Sequence, residues 1–155
     1  MRRLLRSMSV AFVLVLTLSA VSMVSAQNHP KIRSAIAALK DARMEMRNAK
    51  DEFCGHKADA LKATDYAIAQ LQDALKYAGA GLMQNDLNKA DYVKVSLSSE
   101  PYQRFPRIRA ALDSLKAARD EMQNASNDYH GHKQKALDAT NDAISQLQQA
   151  IECAK

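Results

Sequence analysis

The stretch that decides the fold runs from His29 to Ala78, HPKIRSAIAALKDARMEMRNAKDEFCGHKADALKATDYAIAQLQDALKYA, and it is repeated from Phe105 to Ala154 as FPRIRAALDSLKAARDEMQNASNDYHGHKQKALDATNDAISQLQQAIECA. The copies align without a gap at an offset of 76, with 26 identities over 50 positions. Within the first copy, Ile32, Ala35, Leu39, Ala42, Met46, Ala49 and Phe53 recur at alternating steps of three and four. Such a rhythm places them along one stripe of a helix and marks that stripe as buried. Pro30 suits the first helical position, where its missing N–H is not needed, and Gly55 suits a helix end because it is free to take positive φ. A second helix then starts near His56, with Ala60, Thr64, Ala67, Leu71, Ala74 and Ala78 in the same rhythm. The connection is short enough to imply a helical hairpin.

The second copy repeats the stripe from Ile108 to Tyr129 and from Ala136 to Ala154. About half of the stripe is alanine, so one hairpin of some 50 residues buries little area and is marginal alone. Two copies can cover each other's apolar faces. The expected fold is therefore all-α, an antiparallel four-helix bundle built from two tandem helical hairpins. Residues 27–78 form the first repeat, 79–104 a linker and 105–155 the second repeat. The linker, with two glycines, a proline and a short alternating run, is open to reading as a crossover, a single edge-like strand or a loose tether.

Ahead of the repeats, residues 1–26 look like a secretory leader. Arg2, Arg3 and Arg6 precede the apolar run Val10 to Val24, and Val24-Ser25-Ala26 is a small-residue cleavage site. The run is short for a membrane anchor. Cleavage near Ala26 implies a periplasmic or extracellular protein with no membrane anchor. It also removes three arginines and no acid from a net charge of +5, leaving about +2, which gives no electrostatic reason to expect nucleic acid as a partner.

The residues able to carry chemistry cluster at the turns. In up-down-up-down order the two turns share one end of the bundle, bringing Cys54 and His56 near His130 and His132, a ligand set suited to Cu, Zn or Ni. The competing reading is that each Gly-His-Lys only caps helices. On the same topology Cys54 lies at a turn and Cys153 at the far end of a helix about 33 Å long, so no intramolecular disulfide is expected. No serine or cysteine has a base and an orienting acid at a readable spacing, which argues against an enzyme.

The run Pro-x-Ile-Arg-x-Ala, Leu-x-x-Ala-Arg, Gly-His-Lys-x-x-Ala-Leu and Ala-Ile-x-Gln-Leu resembles a group of small exported bacterial helical-hairpin proteins with no assigned activity. Their turn commonly reads Gly-Gly-His-Arg. Here Cys54 and His130 replace its first glycine, and Lys57 and Lys133 its arginine. The repeated Gly-His before an Ala-rich helix is more faintly similar to small periplasmic metal-binding proteins, which carry far more than the four histidines present here. The sequence thus leads to a non-enzymatic exported binding or structural module of unknown partner, monomeric or homodimeric. Its alternative is a transition-metal binder using Cys54, His56, His130 and His132.

Overall fold

A computed structural model describes residues 29–79 and 104–155, the two repeats. The leader and the linker interior, with the expectations that fall on them, lie outside the described residues. Among the described residues the chain is all-helical, with no strand. Helix α1 spans Pro30–Asn48, α2 His56–Tyr77, α3 Pro106–Gln123 and α4 His132–Cys153. No described helix is long and apolar enough to cross a membrane.

The apolar stripes form one core. Ile32, Ala35, Leu39, Ala42 and Met46 are fully buried, as are their counterparts Ile108, Ala111, Leu115, Ala118 and Met122. The second helices bury Ala60, Leu71 and Ala74, and Ala136, Leu147 and Ala150, to the same degree. Thr64 and Thr140 also sit in this dry interior, where each hydroxyl donates to the carbonyl four residues back, Ala60 and Ala136, at 2.7 Å. That internal bond lets a polar atom occupy a core position without a desolvation penalty. The stripe frays only at its ends, where Ala78 is exposed and Tyr129 and Ala154 are half-buried.

The first helix of each copy is shorter than the stripe suggests. Helix α1 stops at Asn48 because Ala49 turns to extended backbone, φ −74° and ψ 127°. Ala49 and Phe53 remain buried all the same, since the connection folds back beneath the helix ends. The turn closes through three successive residues of positive φ, Phe53, Cys54 and Gly55, and the second copy does the same with Tyr129, His130 and Gly131. Only the glycine adopts this conformation without strain.

Helix α1 packs chiefly on α3, and α2 on α4, so the main contact lies between the copies rather than within them. The ion pairs between the copies each join a helix start to a helix end. Lys31 pairs with Glu121 at 2.9 Å and Arg107 with Glu45 at 2.8 Å. At the opening of α2, His56 meets Gln146 of α4, and at the opening of α4, His132 meets Gln70 of α2. These contacts are reciprocal: in each, residue i of one copy touches residue j of the other, and their counterparts 76 positions away touch as well. This is the pattern of an isologous interface.

Reciprocity overturns the expectation that the two turns share an end. The turn holding Cys54 lies against the close of α4 and the opening of α3, where Phe53 and Phe105 meet edge to face with centroids 5.1 Å apart. The turn holding His130 lies against the close of α2 and the opening of α1. Cys54 and Cys153 are therefore neighbours, with Cα atoms 6.4 Å apart, and are joined by a disulfide. The expectation of no bridge fails for the same reason. A repeat that runs the other way brings the last helix end to the first turn, within the Cα separation a disulfide requires.

Candidate functional site

Each Gly-His-Lys corner is built in the same way. Gly55 and Gly131 precede α2 and α4 with φ of 89° and 82°, which frees the chain to reverse. The histidine that follows turns its imidazole outward from its own hairpin to the other copy. Nδ1 of His56 is 2.9 Å from Oε1 of Gln146, and Nδ1 of His132 is 2.9 Å from Oε1 of Gln70. An amide oxygen only accepts, so in both pairs the imidazole Nδ1–H donates.

The lysine reaches back instead. Lys57, only 8% exposed, donates from Nζ to the Ala49 carbonyl at 3.1 Å and to Glu52 at 3.2 Å. Lys133 donates to the Ala125 carbonyl at 2.8 Å. Both carbonyls belong to the fold-back after a first helix, where the chain would otherwise leave acceptors unpaired. Glycine, histidine and lysine thus reverse the chain, tie the copies together and cap the preceding helix. Gln70 and Gln146 are functional members of this corner that a reading of the turn alone overlooks, although both stand in the repeated Ala-Ile-x-Gln-Leu run.

The four residues expected to gather around a metal are divided between the ends. Cys54 and His56 lie at one end, with the Cys54 sulfur engaged in the disulfide, and His130 and His132 lie at the other. Among the described residues no group of three or more His, Cys, Asp or Glu side chains is placed to hold a metal ion.

The two ends share a backbone plan but differ in chemistry. Where one end carries the Cys54–Cys153 disulfide, the counterparts His130 and Tyr77 stack with ring centroids 3.9 Å apart. Where one end carries Phe53 on Phe105, the other carries Tyr129 on His29. Those rings are 5.2 Å apart and nearly perpendicular, and the Tyr129 hydroxyl is hydrogen-bonded to His29 Nδ1 at 2.8 Å. Partial burial raises the Tyr129 phenol above its ordinary pKa, opposed by a hydrogen bond with Asn127. One end is accordingly apolar and covalently closed, and the other is polar and rich in imidazole.

Beside the polar end lies a half-open cavity of about 400 Å³, lined by His29, Pro30, Lys31, Asn124, Ser126 and Tyr129 among others. Its size is within the range of small-molecule sites. Lys31 and the imidazole are its basic groups, and asparagine, serine and phenol supply neutral donors and acceptors. Unlike the Gly-His corners, this cavity gathers polar side chains in a concave setting, with Lys31 paired to Glu121 and the Tyr129 hydroxyl bonded to His29 at its wall. No known protein family matches the chain, and neither a curated protein nor a solved structure is similar to it.

Proposed function

We propose that the chain is an exported, disulfide-locked module, an antiparallel four-helix bundle of two helical hairpins, that binds or supports a partner outside the cytoplasm and does no catalysis. The observation that carries this reading is the Cys54–Cys153 bond. Disulfides persist in exported compartments and are rare in the cytosol, and the leader-like residues 1–26 supply a route to such a compartment. The non-catalytic part rests on how the reactive residue types are used. His56 and His132 are engaged by glutamines, Lys57 and Lys133 by backbone carbonyls, and both cysteines by each other. These contacts hold the copies together and leave the cavity at the polar end as the place for a small polar ligand or a partner's side chain.

Fractionation of cells making the full chain, followed by alkylation of the denatured protein with and without prior reduction, tests this. The proposal expects a shortened protein outside the cytoplasm, with two thiols that react only after reduction. A full-length cytosolic protein whose thiols react without reduction would sink it.

A further inference from the structure

We propose that the cavity at the polar end is a binding site for an uncharged, polyhydroxylated small molecule, a monosaccharide or a polyol of similar size. The inference rests on the reading of the chain as a non-catalytic binding module and names the class of ligand that module takes. Charge narrows the class first. None of the described residues lining the cavity is an acid, so its wall has nothing to hold a cation. Lys31 is committed to Glu121 at 2.9 Å, and an anion would have to compete with that carboxylate. The other polar groups are an imidazole, a phenol, a hydroxyl and two carboxamides, on His29, Tyr129, Ser126, Asn124 and Asn127. Phenol, hydroxyl and carboxamide each donate and accept, which matches a ligand whose own hydroxyls do both. Pro30 adds apolar surface for the C–H groups of such a ligand.

The repeat supplies the comparison that singles out this end. Each lining position has a counterpart 76 residues away, beside the Cys54 turn. Pro30 and Asn124 recur there as Pro106 and Asn48, and Lys31 as Arg107, which is also paired with a glutamate. The four positions that differ in kind all differ in one direction. His29 and Tyr129 stand where the other end has Phe105 and Phe53, and Ser126 and Asn127 stand where it has Lys50 and Asp51. Two phenyl rings and two opposite charges are exchanged for an imidazole, a phenol, a hydroxyl and a carboxamide. The fold does not require the exchange, because the same turn, with three successive residues of positive φ, closes around either set.

The wall is also held in place ahead of any ligand. Lys133 fixes the Ala125 carbonyl at 2.8 Å, and Asp128 accepts from the Gly131 N–H at 2.8 Å, so the segment carrying Ser126 and Asn127 is tied on both sides. Hydrogen bonds join Asn127, Tyr129 and His29 in a row, while Asn124 and Ser126 remain exposed. A wall ordered in advance lowers the entropy lost on binding.

The test titrates the full chain, with its disulfide intact, separately with glucose, galactose, mannose and glycerol, and with inorganic phosphate and putrescine as charged probes, following amide signals by NMR. At least one of the four uncharged probes should bind with a Kd of about 1 mM or below and move the signals of His29, Asn124, Ser126, Asn127 and Tyr129. Its affinity should hold as salt rises from about 0.01 to 1 M, a change that screens a ligand held by charge. His29→Phe with Tyr129→Phe, and Ser126→Lys with Asn127→Asp, introduce side chains the fold already accommodates at its other end. Each pair should weaken binding by about ten-fold or more, as loss of two ordinary hydrogen bonds allows, with far-ultraviolet circular dichroism unchanged. Lys50→Ser with Asp51→Asn, at the other end, should leave affinity as it was. The two cavity pairs are independent, so either decides if the other unfolds.

No binding of any uncharged probe at ten times that concentration would overturn the ligand class and leave export and the disulfide, which fractionation and alkylation test separately, standing. Tighter binding of phosphate or putrescine at the same signals would overturn it as well, and so would signal changes away from the cavity or affinity that survives both pairs of substitutions. Conversion of a bound sugar into another compound, visible in its own NMR signals, would overturn the non-catalytic reading together with the inference.

Discussion

His29 and Tyr129 meet at one end of the molecule in the geometry by which Phe105 and Phe53 meet at the other, and a hydrogen bond of 2.8 Å is added to the polar pair. The backbone conformations agree too: His29 and Phe105 both cap their helices with positive φ, at 37° and 60°. The same socket thus accepts either an apolar or a polar ring pair. Replacing His29 and Tyr129 together by phenylalanine should leave the fold intact and stabilise it by about 0.5–1.5 kcal/mol, the value of a well-placed aromatic pair. Thermal unfolding of the double variant measures this, and a loss of stability would show that the hydrogen bond outweighs the apolar contact.

The disulfide joins residues 99 apart in sequence, so it removes much of the freedom of the unfolded chain. A loop of that length is worth about 4–5 kcal/mol in the chain-entropy account, and removal of native bridges from small exported domains costs about 2–5 kcal/mol. Cys54→Ser with Cys153→Ser should lower stability by roughly that amount, read as a drop in the urea midpoint together with a steeper slope, because the unlinked unfolded chain exposes more surface. Because both cysteines are exposed, their replacement leaves no cavity, and the core helices should keep their content at low temperature.

The two His–Gln pairs make a prediction about coupling. His132→Ala and Gln70→Ala should each cost about 1 kcal/mol, and the double variant should cost clearly less than their sum, because either change removes the same bond. His132→Ala combined with Gln146→Ala should instead be additive, since Gln146 serves His56. Additivity in the first cycle would show that the imidazole and the amide do not act as a unit.

Among the described carboxyl groups, the pKa of Asp113 is raised, mainly by desolvation, against the lowering influence of Lys116 and Arg109. Its Oδ2 is buried without a hydrogen-bond partner, and the counterpart in the first copy is Ala37. A carboxyl whose folded pKa is raised destabilises the fold wherever it is ionised. That penalty is complete above the folded pKa and vanishes as pH falls below the ordinary value of 3.8. Asp113→Ala should therefore raise stability at pH 7 by about 0.5 kcal/mol, allowing for screening by water. The gain should disappear near pH 3, and an equal gain at both pH values would assign it to packing or helix propensity instead.

Much of the fold was legible in the sequence because the apolar stripe obeys one period. Ile32 to Met46 and their counterparts are buried as that period requires. The helix end was not, because Ala49 and Phe53 keep the rhythm after the backbone has turned, and burial by a fold-back looks the same in sequence as burial on a helix. The positive φ of Phe53 and Cys54 has no local signal, since neither residue favours it. The relative direction of the copies was also beyond reach. A short turn fixes a hairpin, whereas the linker of residues 79–104 is long enough to permit either direction of the second one. The disulfide and the division of the candidate metal ligands both follow from that single choice. A signal was nonetheless present: a leader-like stretch ahead of the repeats is an expectation of export, and under that expectation two cysteines are a reason to look for a bridge between them. The repeated glutamines, spaced identically from the repeated histidines, were the other unread sign.

The reciprocity of the contacts has an evolutionary and a physical corollary. A surface that pairs i with j and j with i is complementary to itself, so a chain with one such hairpin has what it needs to dimerise. Joining two copies in one chain turns that encounter into a unimolecular event, whose extent no longer depends on protein concentration. The halves then stay together at any dilution, and the two ends of the particle, no longer bound to be identical, are free to diverge into one closed by a disulfide and one lined by hydrogen-bonding rings.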